Sequence, residues 1–212
     1  MRYTALIIIL GALLAACSAE KKASKAFRFG KYEPTIAFYK KKLEKDPNDG
    51  KANFLIAESY RLSNRLKEAE PFYAKAGGRE IDGDTVKFYL AQALEVNGKY
   101  DEARKTLKAL IASTQNEKIK DRASAELDGL QYLDDLNRSE SYYKVKNLEL
   151  LNTPAAEFSP VFLNNELYFT STRGNGKIYE ATGTPFSDLY KVASRGANVD
   201  LATIAPLPDG IN

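Results

Sequence analysis

The sequence predicts an α + β chain, a helical array followed by a region of antiparallel strands, and three observations predict it. Small and large apolar residues recur at a fixed step of 34 between Asn53 and Leu110. Near Arg138 the composition turns from helix formers to Tyr, Phe, Thr, Pro and Gly. Ahead of both stands Ala5 to Ala16, "ALIIILGALLAA", which carries no charge and is closed by Cys17, the single cysteine of the chain.

The leader comes first. A bilayer core needs about 20 apolar residues in a helix, and this run is too short to span it. A short basic start at Arg2, an apolar centre and small residues at the end describe an export signal. Its last four residues, Leu14-Ala15-Ala16-Cys17, resemble the lipobox of bacterial lipoproteins. The resemblance implies that residues 1–16 are removed and that Cys17 is acylated on its thiol and its new amino terminus. Several chains are needed because one acyl chain anchors only marginally, at about 0.8 kcal/mol for each buried CH2. A lone thiol in an oxidising compartment also needs a partner or a special use. Acylation supplies one. Ser18 and Ala19 follow, with no acidic sorting signal, so the resemblance implies the periplasmic face of the outer membrane. The basic cluster Lys21, Lys22, Lys25 and Arg28 beside the lipid reads either as a solvated helix face or as a contact to lipid head groups.

The array occupies residues 17–137. Ala57 aligns with Ala91, Tyr60 with Leu94, Ala69 with Ala103, Tyr73 with Leu107 and Ala76 with Leu110, all 34 apart. One step back lie Gly30, Thr35, Tyr39 and Pro47. Such a period is the signature of a solenoid built from one repeated unit. Small residues let paired helices approach, and the larger ones fill the space between units. Gly30 and Gly98 end helices before "KYE" and "KYD", and Pro47 closes the first repeat. From Glu117 a further helix follows, with Ile119, Ala123, Leu127 and Leu130 on one face. This pattern resembles the tetratricopeptide repeat, with three repeats and a closing helix. Lys42 departs from it, standing where a small or apolar residue is usual.

The resemblance implies a concave groove that binds peptides or partner proteins. Carried from the family pattern, the groove positions are Phe54, Glu58 and Arg61 in the second repeat and Phe88, Gln92 and Glu95 in the third. Relatives that clamp a terminal carboxylate use Lys, Asn and Arg there, so a carboxylate clamp is disfavoured. Phe54 and Phe88 read equally as partner contacts or as packing within the array.

Residues 138–212 read as strands. In "ELYFTST", Leu167, Phe169 and Ser171 alternate with Tyr168, Thr170 and Thr172, the period of a strand. "FSPVF" precedes it, "RGNGK" makes a turn, and "SDLYKV" is a further strand. The order S-P-x-F, L-Y-F-T-S-x-R-G, D-L-Y-x-V resembles the blade repeat of TolB-like β-propellers, on Ser159, Pro160, Phe162, Leu167 to Ser171, Arg173, Gly174 and Asp188 to Val192. "NVDLATIAPLPDGIN" then reads as the start of a second, interrupted blade. Such a sheet is expected to leave Phe162, Leu167, Phe169 and Leu189 without the neighbour that buries one face.

Chemistry is sparse. The chain has no histidine, the commonest general base and metal ligand. With Cys17 acylated no thiol remains for catalysis or zinc. "RGNGK" lacks the spacing and the Ser or Thr of a phosphate loop. "IDGDT" lacks the alternating ligands and distal Glu of a calcium loop. Acid clusters such as Glu68 with Glu70, or Asp134 with Asp135, read as solvated helix faces. Lys and Arg total 31 against 28 for Asp and Glu, which argues against nucleic acid as a partner.

Anchor, repeats and blades in this order resemble a family of outer-membrane lipoproteins with tetratricopeptide repeats, a propeller and an OmpA-like peptidoglycan-binding domain, some of which serve type IX secretion. The family implies a non-enzymatic periplasmic scaffold for envelope proteins, with no cofactor and no metal. Peptidoglycan is implied only for a longer parent, since no OmpA-like part precedes Asn212. Two other readings stay open: a carbohydrate or peptidoglycan-fragment binder acting through the propeller, and part of an enzyme whose active site lies outside this chain.

Overall fold

The computed structural model describes residues 18–138, 147–148, 151–196 and 198–212. The leader and Cys17 lie outside the described residues. The chain is α + β and divides at residues 140 and 141 into a helical unit and a sheet unit.

Among the described residues the helical unit holds seven helices: α1 (18–28), α2 (Tyr32–Leu43), α3 (Gly50–Leu62), α4 (Leu66–Tyr73), α5 (Gly83–Val96), α6 (Tyr100–Ser113) and α7 (Glu117–Arg138). Their turns repeat at atomic detail. Gly30, Asn64 and Gly98 all take left-handed backbone, at φ +71°, +59° and +73°. After each of them the next amide reaches back five residues: Lys31 to the Ala26 carbonyl at 3.0 Å, Arg65 to Tyr60 at 2.8 Å, Lys99 to Leu94 at 2.9 Å. This is the Schellman closure, which satisfies carbonyls that a helix end leaves orphaned. It occurs three times at one step of 34, and the middle instance uses Asn, the best substitute for Gly in that backbone region.

Helix starts are equally explicit. Asp49 accepts the Ala52 amide at 2.9 Å to cap α3, and Asn116 accepts the Lys118 amide at 3.1 Å to cap α7. Lys42 reaches across to Asp49 at 2.9 Å, so the residue that departs from the repeat pattern neutralises the cap of the next helix. Asp82, in "IDGDT", caps α5 by accepting the Asp84 amide at 3.1 Å. Pro71 lies inside α4, where it cannot donate to the Lys67 carbonyl. Asn97, at the end of α5, donates to that carbonyl at 3.0 Å instead.

The step of 34 also sets the packing. Ala57, Ala69, Ala91 and Ala103 are fully buried, and Tyr60, Tyr73, Leu94 and Leu107 join them in the core. At Ala57 and Ala91 there is no room for more side chain. Leucine at either is expected to overpack the unit by about 1–3 kcal/mol, whereas leucine at exposed Lys67 changes little. Urea midpoints that move equally at all three positions would reject this register.

The sheet unit is built from β1 (Glu157–Leu163), β2 (Glu166–Ser171), β3 (Ile178–Tyr179), β4 (Thr184–Pro185), β5 (Asp188–Arg195) and β6 (Asn198–Pro206). Four of them form one antiparallel sheet in the order β1-β2-β5-β6. β3 and β4 make a small separate hairpin inside the long β2–β5 connection. Asn164 and Asn165, at φ +50° and +60°, form the two-residue turn from β1 to β2. Consecutive left-handed residues match the twist of a hairpin.

Two expectations change here. The segment from Asn198 opens no second unit, for it pairs with β5 from Arg195↔Asn198 to Tyr190↔Pro206 and is the fourth strand of the same sheet. Leu167 and Phe169 are also not left open, at 2% and 3% exposure. Leu151, Tyr190 and Val192 pack with them, and Leu148, Val199, Leu201 and Ile204 lie against the cluster. The open side is elsewhere. Phe162 is 60% exposed and Leu189 38%, with Phe158, Val161 and Leu163 also outward.

Candidate functional site

The first helices of successive pairs, α3 and α5, and the closing helix α7 share a band of polar and aromatic side chains. The predicted residues fall in this band, but not alike.

Glu58 is spent internally. Arg61 donates to it twice, Nε to Oε1 at 2.9 Å and Nη2 to Oε2 at 2.7 Å, and the Tyr73 hydroxyl of α4 donates to the same carboxylate. Burial, and next to it the Glu58 carboxylate, hold the Tyr73 phenol far above the usual tyrosine range. The Arg61 guanidinium is raised as well, first by its hydrogen bond to Glu58, and it lies 4.2 Å from the Tyr89 ring centre. Arg61 therefore joins α3 to α5 by a cation–π contact.

Phe88 is a correction to the groove assignment. At 3% exposure its ring belongs to the core, because α7 covers it and the Arg122 guanidinium lies 4.3 Å above its centre. Phe54, one repeat earlier, is only half-buried. Its neighbour across the array is the linker from α4 to α5, not a long helix.

Gln92 and Glu95 meet α7 at Glu126. Gln92 donates to Glu126 at 3.1 Å, and Glu95 Oε1 is buried with no hydrogen-bond partner among the described residues. Burial first, then the Glu126 charge, push the Glu95 carboxyl from 4.5 up to about 7. Between those two values the unfolded chain has released its proton and the folded chain has not, so stability falls as pH rises. Below 4.5 both states are protonated and the cost vanishes. Glu95→Gln is expected to flatten this slope, by on the order of 1 kcal/mol after solvent screening. Melting curves at pH 5 and pH 8 check it, and an unchanged slope would remove the assignment.

Tyr89, Arg122 and Glu126 are absent from the sequence reading, yet two of them were within its reach. Arg122 and Glu126 stand one further step of 34 beyond Phe88 and Gln92. Extending the period into the closing helix finds them. Tyr89 had no such signal, as its counterpart Leu55 is of another kind. On α1, Lys21, Lys22, Lys25 and Arg28 are all exposed while Ala23 is buried.

Among the described residues no group of three or more His, Cys, Asp or Glu side chains is placed to hold a metal ion. No helix among them is long and apolar enough to cross a membrane. Compared with known proteins, the chain matches no family model and no curated protein.

Proposed function

We propose that the protein is a non-enzymatic scaffold of the bacterial envelope, anchored through lipid on Cys17 at the periplasmic face of the outer membrane. It binds envelope proteins through a tetratricopeptide-type array and a propeller-type sheet, in the manner of lipoproteins that tie secretion machinery to the cell envelope. One observation carries the reading. A helix–turn–helix unit recurs with identical closure at a step of 34, and such stacks present extended surfaces suited to partner proteins. The outward apolar side chains of β1 add a second candidate surface.

Two measurements test it. Metabolic labelling with a fatty acid should mark the wild-type chain and not Cys17→Ser. Envelope proteins should co-purify with the wild-type chain after solubilisation. Equal labelling of both chains ends the anchor, and absence of any co-purified protein ends the scaffold.

A specific feature favours a second reading, carbohydrate binding by the sheet unit. Tyr179 and Phe186 sit 5.3 Å apart by ring centres on the small hairpin, both about half exposed. Paired exposed rings are a platform for sugar faces. Sedimentation with purified peptidoglycan, compared with a Tyr179→Ala, Phe186→Ala variant, separates the two.

A further inference from the structure

A recess lies between α3 and the linker that leads into α5. It encloses about 360 Å³, inside the range of about 300–1,000 Å³ typical of ligand pockets. Phe54 and Leu55 of α3 and Ile81 of the linker supply its apolar lining, while Lys51, Arg79 and Glu80 complete it.

Its shape depends on two backbones that nearly touch. The Gly77 amide donates to the Gly50 carbonyl at 3.3 Å, and a Cβ on Gly50 would stand 2.3 Å from the Gly77 oxygen. Only glycine at position 50 lets the linker come this close. Gly78, at φ +145°, then turns the chain toward Ile81, whose Cδ1 lies 3.5 Å from where a Cβ would be. The recess is thus held by the same chain features that space the repeats.

Its charge is uneven. Lys51, Arg79 and Glu80 are exposed, and no ion pair joins any of them to another described residue. Two cations against one carboxylate leave an excess of positive charge beside an apolar floor. An occupant that matches both features has a large apolar group next to an acid.

We propose that this recess receives a large apolar side chain of a partner polypeptide whose neighbouring residue is acidic. The side chain covers Phe54, Leu55 and Ile81 and releases their water, and the carboxylate meets Lys51 and Arg79 in charge-assisted hydrogen bonds. The inference rests on the scaffold reading. It names a site within the array and a chemistry for the partner.

The test uses the full chain and defined probes. Capped hexapeptides with central Phe-Asp, Phe-Lys or Ser-Asp are titrated and followed by NMR, alongside free 3-phenylpropionate. Phe-Asp is expected to shift Phe54, Leu55 and Ile81 and to bind at least about tenfold more tightly than the other two peptides, the worth of one good charge-assisted contact. Lys51→Glu with Arg79→Glu, both at exposed positions, should reverse the preference toward Phe-Lys with no change in melting. Gly50→Ala should weaken Phe-Asp binding while both cations remain. Equal affinity for Phe-Asp and Phe-Lys, or silence at Ile81, overturns the proposal. Phenylpropionate binding as tightly as Phe-Asp overturns it too, by assigning the recess to small carboxylates. Co-purification of envelope proteins judges the scaffold separately, so failure of one reading is not mistaken for failure of the other.

Discussion

Phe88→Ala is expected to lower the stability of the helical unit by about 3–5 kcal/mol, the usual cost of deleting a buried aromatic ring. The ring is 3% exposed, meets Tyr89 edge-on at 5.5 Å between centres, and carries the Arg122 guanidinium at 4.3 Å. Removing it opens a cavity between α5 and α7 and takes the π face from under Arg122. Neither helix closes the gap easily, because Gln92 and Glu126 pin them at 3.1 Å next door. Phe54→Ala, at the equivalent position one repeat earlier, should cost only about 1–2 kcal/mol, since that ring is partly rather than fully buried. Urea denaturation followed by circular dichroism measures both. Equal losses would mean that the difference in burial has no energetic counterpart, and Phe88 would return to the candidate groove.

That contrast shows where the sequence speaks and where it falls silent. Positions fixed by local sterics are readable. Ala57 and Ala91 must be small because two helices cross there, and Gly30 and Gly98 must reach positive φ because the chain reverses there. Phe54 and Phe88 are the same residue at the same register, so no local rule separates them. What separates them is the neighbour, a linker in one case and the 22-residue helix α7 in the other. Glu58 was legible as an inner-face carboxylate but not as the shared acceptor of Arg61 and Tyr73, which depends on a helix 15 residues away in sequence.

The sheet unit gives the same lesson. Alternation in "ELYFTS" fixes which side chains of β2 point inward, and Leu167, Phe169 and Ser171 do so. Alternation cannot say which sheet a strand joins. The segment from Asn198 has a strand pattern whether it closes one sheet or opens another, and only its register with β5 decides.

Arg173→Met is expected to destabilise the sheet unit by about 2–3 kcal/mol, between the small worth of an exposed pair and the cost of leaving one member of a fully buried pair alone. Arg173 and Glu157 have side-chain exposures of only 16% and 11% and meet at 3.1 Å. The guanidinium also donates to the Leu151 carbonyl at 2.7 Å and to Ser171 at 2.9 Å, and it lies 5.0 Å and 5.2 Å from the Phe169 and Tyr190 ring centres. One side chain thereby ties the segment before β1 to the two central strands. Methionine keeps much of the stem and the packing but none of the donors. Burial alone would push the Glu157 carboxyl upward, yet Thr153, Ser171 and Arg173 together hold it below its usual value. In the wild type this lowered value contributes stability above the unfolded value of 4.5, lost as pH falls through the folded one. In the variant the Arg173 share of that lowering is lost while the Thr153 and Ser171 hydrogen bonds remain, so the folded value rises and protonation relieves the lone charge sooner on acidification. The gap between the two proteins should therefore narrow on acidification from pH 7 to pH 4. Glu157→Gln in the variant background should recover part of the loss at pH 7, as the non-additivity of a coupled pair requires. Hydrogen exchange at β1, β2 and β5 reads these effects apart from the helices. A loss below about 1 kcal/mol, the level of an exposed pair, or a gap that does not change with pH, would show that Arg173 does not hold this sheet together.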